Sequence, residues 1–168
     1  IWTAGRDDGR AGGPVALALM VRLVAGAACA AALLTAATAS AAACPNTGLA
    51  REQVQLETAL GRFRYTLERA VSSAEQACGL MYRESMPRGE GMAFPMVPPR
   101  QTGFWMENTL IPLDIIYVSP AGRVLNVVRG RPHSREVLES AGITGEVIEL
   151  NAGEAARIGL KPGDRVRR

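Results

Sequence analysis

The sequence predicts a mainly β (α+β) fold, a compact antiparallel barrel-like or sandwich domain of about seven short strands with two or three short helices. Short segments that alternate polar and apolar residues recur along residues 53–168, and turn residues rather than long helical segments separate them. Prolines and glycines also interrupt residues 87–99 so densely that no long regular element fits there. Because long crossover helices are missing, a doubly wound parallel sheet is not expected.

Residues 1–43 are predicted to precede the domain. Residues 1–19 begin with Ile1 and show no apolar period, so we interpret them as an upstream extension of the reading frame, with Met20 as the better start. Residues 20–43 run from a basic residue through an apolar stretch to small residues, the order of a secretory signal peptide. We therefore expect an exported protein of the periplasm or the extracellular space. An uncleaved membrane anchor is the alternative, although the apolar stretch is shorter than the roughly 20 residues of a spanning helix.

Cys44 follows the predicted signal peptide, and three roles stay open for it. An oxidising compartment would favour a disulfide with Cys78, because Cys29 leaves with the signal peptide. A lipid on Cys44 would tether the domain to a membrane, since residues 41–44 have the small residues of a lipobox but lack its usual leucine. A free thiol is the third role.

Residues 44–52 are predicted to be a polar linker and residues 53–168 a single domain, since a chain of this length builds one core. Alternating polar and apolar residues on both sides of Gly61 predict a β-hairpin. Overlapping capping boxes at residues 72–76 predict a short helix that ends near Gly79. Short strands are predicted at 91–96 and 101–106.

The strongest hairpin prediction joins two β-branched segments on either side of a turn at 119–122, which contains proline and glycine. Residues 132–141 are predicted to be helical or irregular, with Ser134 as a helix cap. Asn151 is predicted to cap a helix over 152–158. The remaining predicted elements are strands at 146–150 and 165–167.

Residues 104–118 place four polar side chains in a segment whose other residues are typical of a protein core. They are Glu107, Asn108, Thr109 and Asp114. A buried polar group without a partner costs about 1–3 kcal/mol. The segment therefore builds either a pocket that faces a ligand or a hydrogen-bond network that braces the backbone.

Three blocks of the sequence stand in a distinctive order and spacing. They are 79–83 with 91–92, then 104–115, then 149–153 with 159–164. Together they resemble the domain of unknown function family 192, also called uncharacterised protein family 0127, over about residues 53–167. The resemblance implies a small exported bacterial or archaeal protein with a compact β-rich fold and no established activity.

Two positions depart from the usual pattern of this family. Glu107 stands where the family commonly has lysine, which reverses a charge beside the proposed pocket. Cys78 stands where arginine or alanine is more usual, and this difference favours a local disulfide with Cys44.

The first functional hypothesis is a binding domain with a shallow pocket whose floor is residues 104–114. Its ligand would be a small polar molecule or a segment of another envelope protein. Aromatic side chains would offer stacking surface, and polar ones directed hydrogen bonds. The candidate residues are Tyr82, Arg83, Trp105, Asn108, Thr109 and Asp114. In the opposing interpretation, Trp105 is a large core residue and Arg83 an ion-pair partner at the surface.

An enzyme is the second hypothesis, with Asp114 or Glu107 as general base and Asn108 as donor to a developing oxyanion. Alternatively, Asp114 accepts backbone N–H groups across the turn at 109–112 and Asn108 braces the same loop. No second acid, nucleophile or metal cluster stands at a diagnostic spacing, so no catalytic residue is assigned. A structural accessory of envelope proteins is the third hypothesis, and it predicts an exposed apolar patch instead of a deep pocket.

No metal, cofactor or nucleic acid is predicted. Five methionines within residues 81–106 could offer thioethers to Cu(I), but methionine also fills gaps in irregular cores. Cys44, Cys78 and His133 lack the paired spacing of a zinc site. The formal net charge is only +3, and arginines alternate with glutamates instead of forming a basic stripe, so a nucleic-acid partner is not expected.

Overall fold

The computed structural model describes residues 44–168, which form a β-rich domain with two short helices. In chain order the elements are β1 (Arg51–Thr58), β2 (Gly61–Arg69), α1 (Ser73–Cys78), β3 (Glu90–Arg100), β4 (Gly103–Phe104), β5 (Leu113–Val118), β6 (Val124–Gly130), β7 (Leu138–Glu139), β8 (Thr144–Asn151), α2 (Glu154–Arg157) and β9 (Arg165–Arg167). The mainly β (α+β) prediction is confirmed. The predictions for residues 1–19 and 20–43 concern residues outside the described part of the chain.

Seven strands form one mixed sheet in the order β6-β5-β8-β3-β2-β1-β9, and β4 pairs with β7 separately. The sheet is not closed into a barrel, although Arg123 and Arg165, near its two edges, meet in an isolated antiparallel bridge. β2 and β3 run parallel, which departs from the antiparallel expectation. Their connection, residues 70–89, contains α1 and is long enough for the crossover that a parallel pair requires.

The sheet is buried on both faces, most completely at β5, where all six residues are buried. Successive side chains of a strand point to opposite faces. Ile116 and Val118 therefore contact one apolar cluster, and Ile115 and Tyr117 contact another. We call these the inner cluster and the outer cluster.

The inner cluster is covered at one end by α2. Its buried members are Val54, Leu56, Tyr65, Leu67, Ala93, Ile116, Val118, Val124, Ile148, Leu150, Ala155, Ile158, Leu160 and Val166. The outer cluster packs the opposite face of the sheet against the loops that connect the strands. Four of its buried members are methionines, which fill space between broken elements: Met86, Met92, Met96 and Met106.

Patterns within short segments of the sequence predicted most of the elements. Both predicted hairpins are present, one formed by β1 and β2 and the other by β5 and β6. Helix α1 begins with the predicted capping box, in which Ser72 Oγ accepts from Glu75 N at 3.2 Å and Glu75 Oε2 accepts from Ser72 N at 2.8 Å. These predictions are confirmed because each depends on residues close together in the chain.

Three local predictions differ from the structure at least in part. Residues 132–141 are irregular apart from the two-residue β7, which agrees with one of the two predicted alternatives, but Ser134 caps no helix and its Oγ accepts from Glu136 N, two residues on. Asn151 does not cap α2: it ends β8, and its Nδ2 donates to the Met86 carbonyl at 2.8 Å. The predicted linker 44–52 is also part of the folded domain, because β1 begins at Arg51 and the residues before it bond to α1.

Among residues 44–168, no helix is both long enough and apolar enough to cross a bilayer.

Candidate functional site

Three loops come together over the outer cluster: residues 80–84, 105–112 and 131–136. Their backbones bond directly to one another. Tyr82 N donates to Asn108 O at 2.9 Å, His133 N to Thr109 O at 3.2 Å, and Met106 N to Ser134 O at 2.9 Å. The central loop is therefore fastened to both of its neighbours.

Each of these three loops contains a non-glycine residue with a positive φ angle. The angles are 61° at Tyr82, 56° at Asn108 and 60° at His133, and no other non-glycine residue in 44–168 adopts this conformation. The left-handed conformation costs roughly 1–2 kcal/mol for an ordinary L-residue, although asparagine tolerates it better. A bulky side chain such as tyrosine is a clear exception there. Backbone strain of this kind clusters at functional sites, where the surrounding structure holds it in place.

The same loops expose large apolar side chains. Tyr82 is 50% exposed, Trp105 48% and Leu110 37%. Trp105 is thus not the core residue of the opposing interpretation. We call the exposed parts of Tyr82, Trp105, Asn108, Leu110 and His133 the loop surface.

Asn108 and Thr109 support this surface in different ways. The Asn108 side chain is partly exposed, and its Nδ2 lies 3.9 Å from Met81 Sδ. Thr109 is buried, at 5% exposure, and its hydroxyl donates to the Glu107 carbonyl at 3.4 Å. Thr109 therefore braces the loop, and the Asn108 amide keeps capacity for further hydrogen bonds.

Asp114 lies on the other side of the sheet. Its Oδ2 accepts from Gly153 N at 2.8 Å and from Ala155 N at 2.9 Å, which caps α2. Its Oδ1 accepts from Arg129 Nε at 3.3 Å. The brace was correctly suspected, but its partners are α2 and Arg129 instead of the turn at 109–112. Because both carboxylate oxygens are occupied, the geometry gives no support to Asp114 as a general base.

The Arg83 side chain is also used in contacts within the domain. Its Nη2 donates to Asn46 O at 2.9 Å and pairs with Glu68 Oε2 at 2.5 Å. Asn46 in turn donates through Nδ2 to the carbonyls of Glu75 and Gly79. Arg83 therefore holds the residues before β1 against α1 and does not face the loop surface.

In the structure a disulfide joins Cys44 to Cys78, with the two Cα atoms 5.7 Å apart. Cys78 is the last residue of α1, and the chain continues from it through Gly79 into the loop that contains Tyr82. The bridge thus anchors the start of the first loop.

A buried glutamate that was not predicted as a site residue lies under this region. Glu149 pairs with Met92 on one side and Ile115 on the other, so it faces the outer cluster. It is 4% exposed, and within the described residues its carboxyl makes no hydrogen bond or ion pair. Burial raises its pKa to about 8, so the side chain is largely neutral at pH 7. The sequence did contain a signal for a glutamate on this face of the sheet. Glu146 and Glu149 are an odd number of residues apart, so their side chains point to opposite faces of β8.

A second group of side chains that was not predicted, Tyr65, Glu154 and Arg157, lies beside α2. Tyr65 donates its hydroxyl to Glu154 Oε2 at 3.0 Å, and Arg157 Nη2 pairs with the same oxygen at 2.6 Å. Hydrogen bonds from Arg157 lower the pKa of Glu154, and burial raises that of Tyr65 to about 12. The group is internally paired and closes one end of the inner cluster.

The geometry offers little for metal chemistry. In the described part of the chain, no three His, Cys, Asp or Glu side chains are grouped as metal ligands. A polar cleft of about 200 Å³ lies elsewhere, lined by Val71, Ser73, Gln76, Pro95, Val97 and Arg100.

The fold and loops define a small β-rich domain that presents a strained, partly aromatic surface. Residues 54–168 match the family DUF192, Uncharacterized ACR, and the chain belongs to this family. The resemblance predicted from the three sequence blocks is confirmed. No activity is established for this domain.

Two solved structures are similar to this chain. One is a protein of unknown function from Novosphingobium aromaticivorans, 44% identical over 78% of this chain and 97% of that one, with a TM-score of 0.71. Another, from Sinorhizobium meliloti, is provisionally described as a transcription regulator and is 36% identical over 73% of this chain and 97% of that one, with a TM-score of 0.70. No curated protein matches the chain.

Replacing Asp114 tests its bracing role. Asp114→Ala removes the acceptor for two N–H groups of α2 and leaves Arg129 without its partner. We expect a loss of about 2 kcal/mol in the free energy of unfolding, measured by urea denaturation. Glu107→Gln, which changes an exposed ion pair with Arg135, is the control and should cost less than about 0.5 kcal/mol. Equal stability of the two variants would contradict the brace.

Replacing Glu149 tests its buried carboxyl. Since its pKa is raised from 4.5 to about 8, the folded protein binds more protons than the unfolded chain in that interval, and stability falls as the pH rises through it. Glu149→Gln removes this penalty. Relative to the wild type, the variant should gain about 3 kcal/mol in unfolding free energy between pH 5 and pH 8.

The control for this measurement is Glu136→Gln, because that side chain is 61% exposed. Its difference from the wild type should stay nearly constant across the same range. A Glu149→Gln difference that is also constant with pH would show that the carboxyl is not buried as described.

Proposed function

We propose that this protein is an exported binding domain of the cell envelope and that it holds a partner segment or a small polar ligand on the loop surface. The observation that carries the proposal is the backbone strain at Tyr82, Asn108 and His133, which lie in three loops bonded to one another. Stability alone does not favour such strain, because glycine would adopt these angles more readily. Its concentration on one surface supports a binding role.

The chemistry of the loop surface suits recognition by stacking and hydrogen bonding. Tyr82 and Trp105 are half exposed, and Asn108 and His133 add groups that donate and accept. Aromatic side chains with a few polar groups are the usual composition of binding sites. Because the aromatic residues lie at the outer surface, a partner segment fits better than a deeply enclosed small molecule.

Two features support export. Residues 20–43 have the order of a signal peptide, and the Cys44–Cys78 disulfide requires an oxidising compartment to persist. The same sulfur cannot carry both a disulfide and a lipid, so this pairing favours a cleaved protein that is not lipid-anchored through Cys44. Cell fractionation checks this part of the proposal: recovery of the full-length chain in the cytoplasm with free thiols would contradict it.

The rival functions are less well supported. An enzyme that uses Asp114 lacks a free carboxylate on the loop surface. Nucleic-acid binding, which the description of the Sinorhizobium meliloti protein suggests, requires a basic stripe. Here many arginines pair with carboxylates, as Arg129 does with Asp114 and Arg135 with Glu107, so we propose no nucleic-acid partner.

Fluorescence of Trp105 tests the binding proposal directly. Trp2→Phe in the full-length chain leaves Trp105 as the single tryptophan reporter. Hexapeptides of varied sequence, free amino acids and monosaccharides are titrated separately against this protein. A saturable response to peptides indicates a partner segment, and one to the small molecules indicates a small polar ligand.

Variants decide whether the response comes from the loop surface. Tyr82→Ala should weaken the affinity about tenfold by removing an aromatic contact. Asn108→Gly should weaken it as well but should not destabilise the protein, because glycine relieves the backbone strain. Leu60→Ala, which changes an exposed side chain at the β1–β2 turn, should leave the affinity unchanged. No saturable response to any probe, or equal affinities in all variants, would refute the proposal.

A further inference from the structure

Four charged side chains lie together at the end of the inner cluster that α2 does not cover. They are Glu52 of β1, Arg69 of β2, Glu146 of β8 and Arg168, which follows β9. Each stands two residues from a member of the inner cluster and shares its side of the strand. Those members are Val54, Leu67, Ile148 and Val166.

The Arg168 guanidinium bridges the two carboxylates of this group. Its Nε donates to Glu52 Oε2 at 3.2 Å, and its Nη2 donates to Glu146 Oε1. A guanidinium presents several N–H groups in one rigid plane, so it satisfies two carboxylates at once in a way that a single ammonium matches poorly. The two glutamates thus form a receptor for a guanidinium, which Arg168 fills.

Polar atoms of this group remain unpartnered although they are buried. Within the described residues, Glu52 Oε1, Glu146 Oε2 and Arg69 Nε have no hydrogen-bond partner. Arg69 Nε is 3.8 Å from Glu52 Oε1, which is too far for a hydrogen bond. The Glu146 side chain is only 9% exposed. Arg168 therefore does not exhaust the acceptors of the site, and a ligand with more N–H groups in reach would find partners.

The pKa of the Glu146 carboxyl is raised overall, because its burial outweighs the effect of the neighbouring cations. Burial raises the pKa of Glu146, the Arg168 guanidinium lowers it, and the neighbouring charge of Glu52 raises it again. Removal of the Arg168 guanidinium would leave the two poorly solvated carboxylates with Arg69, whose Nε is 3.8 Å from Glu52 Oε1, as the remaining cation of the group.

Arg168 follows β9, which has three residues, Arg165–Arg167. β9 pairs with β1 on one side, and on the other side Arg165 forms an isolated bridge with Arg123 and Val166 N donates to Gly122 O at 2.9 Å. The Arg168 side chain is 47% exposed, so its rotation can remove the guanidinium from the site without unfolding the domain.

We propose that Glu52 and Glu146 form a binding site for a guanidinium group, which Arg168 occupies in the free chain and which an arginine side chain or another alkylguanidinium can occupy in its place. The site lies at the β9 edge, is distinct from the loop surface and does not depend on its proposed function. Binding of an outside guanidinium would release the Arg168 side chain from the two carboxylates.

Chemical rescue tests this site. In the full-length Arg168→Ala variant the receptor is empty, and methylguanidinium chloride up to about 20 mM should raise the melting temperature in a saturable way, by roughly 2–5 °C. Sodium chloride and methylammonium chloride at equal concentration should raise it less. The wild type, in which Arg168 competes for the site, should respond to methylguanidinium less than Arg168→Ala does.

The double variant Glu146→Gln/Arg168→Ala is the matched control and should lose the specific response. Equal effects of methylguanidinium and sodium chloride on Arg168→Ala, or an undiminished response of the double variant, would overturn the proposal. If Arg168→Ala does not fold in buffer alone, refolding in methylguanidinium chloride but not in sodium chloride gives the same support. Failure to refold in either salt would also overturn it.

Discussion

The burial of β5 and β8 on both faces is the constraint on which the rest of the structure depends. Every residue of β5 is buried, and β8 pairs with it on one side and with β3 on the other. Since neighbouring residues of a strand face opposite ways, polar side chains an odd number of positions apart face different clusters. Asp114 reaches α2 beside the inner cluster, whereas Glu149 is enclosed in the outer one.

This arrangement places the charged groups that stabilise the fold and the loops that we propose for binding at different clusters. Asp114 and Glu154, beside the inner cluster, are paired and close the end that α2 covers. The loops over the outer cluster hold strained backbone and half-exposed aromatic residues, which are costly to keep. The strain is tolerated because each loop is bonded to a neighbour that is itself supported by packed methionines and leucines.

The sequence was sufficient for elements whose cause is local. The capping box of α1, the β1–β2 hairpin and the family blocks all depend on residues close together in the chain. It was insufficient where partners are distant. Asp114 was recognised as a polar group in need of partners, but those partners are Gly153 and Ala155, about forty residues later. No period in the sequence reveals which helix a strand residue will cap.

The choice of candidate site residues shows the same limit. Tyr82, Trp105 and Asn108 were selected from residue type, and they lie in two loops whose backbones are joined by the bond from Tyr82 N to Asn108 O. Arg83 was selected on the same grounds, but it is used to fasten the residues before β1. The positive φ of His133 had no sequence signal, because histidine in a proline-containing loop is ordinary.

Amide hydrogen exchange at Tyr82, Met106 and His133 measures whether the three loops hold one another, because these N–H groups join the loops. We expect all three amides to exchange slowly although their loops lie at the surface, with protection comparable to that of amides in β6. Exchange at the rate of unstructured chain would contradict this expectation, because the loops would then not hold one another in the strained conformation.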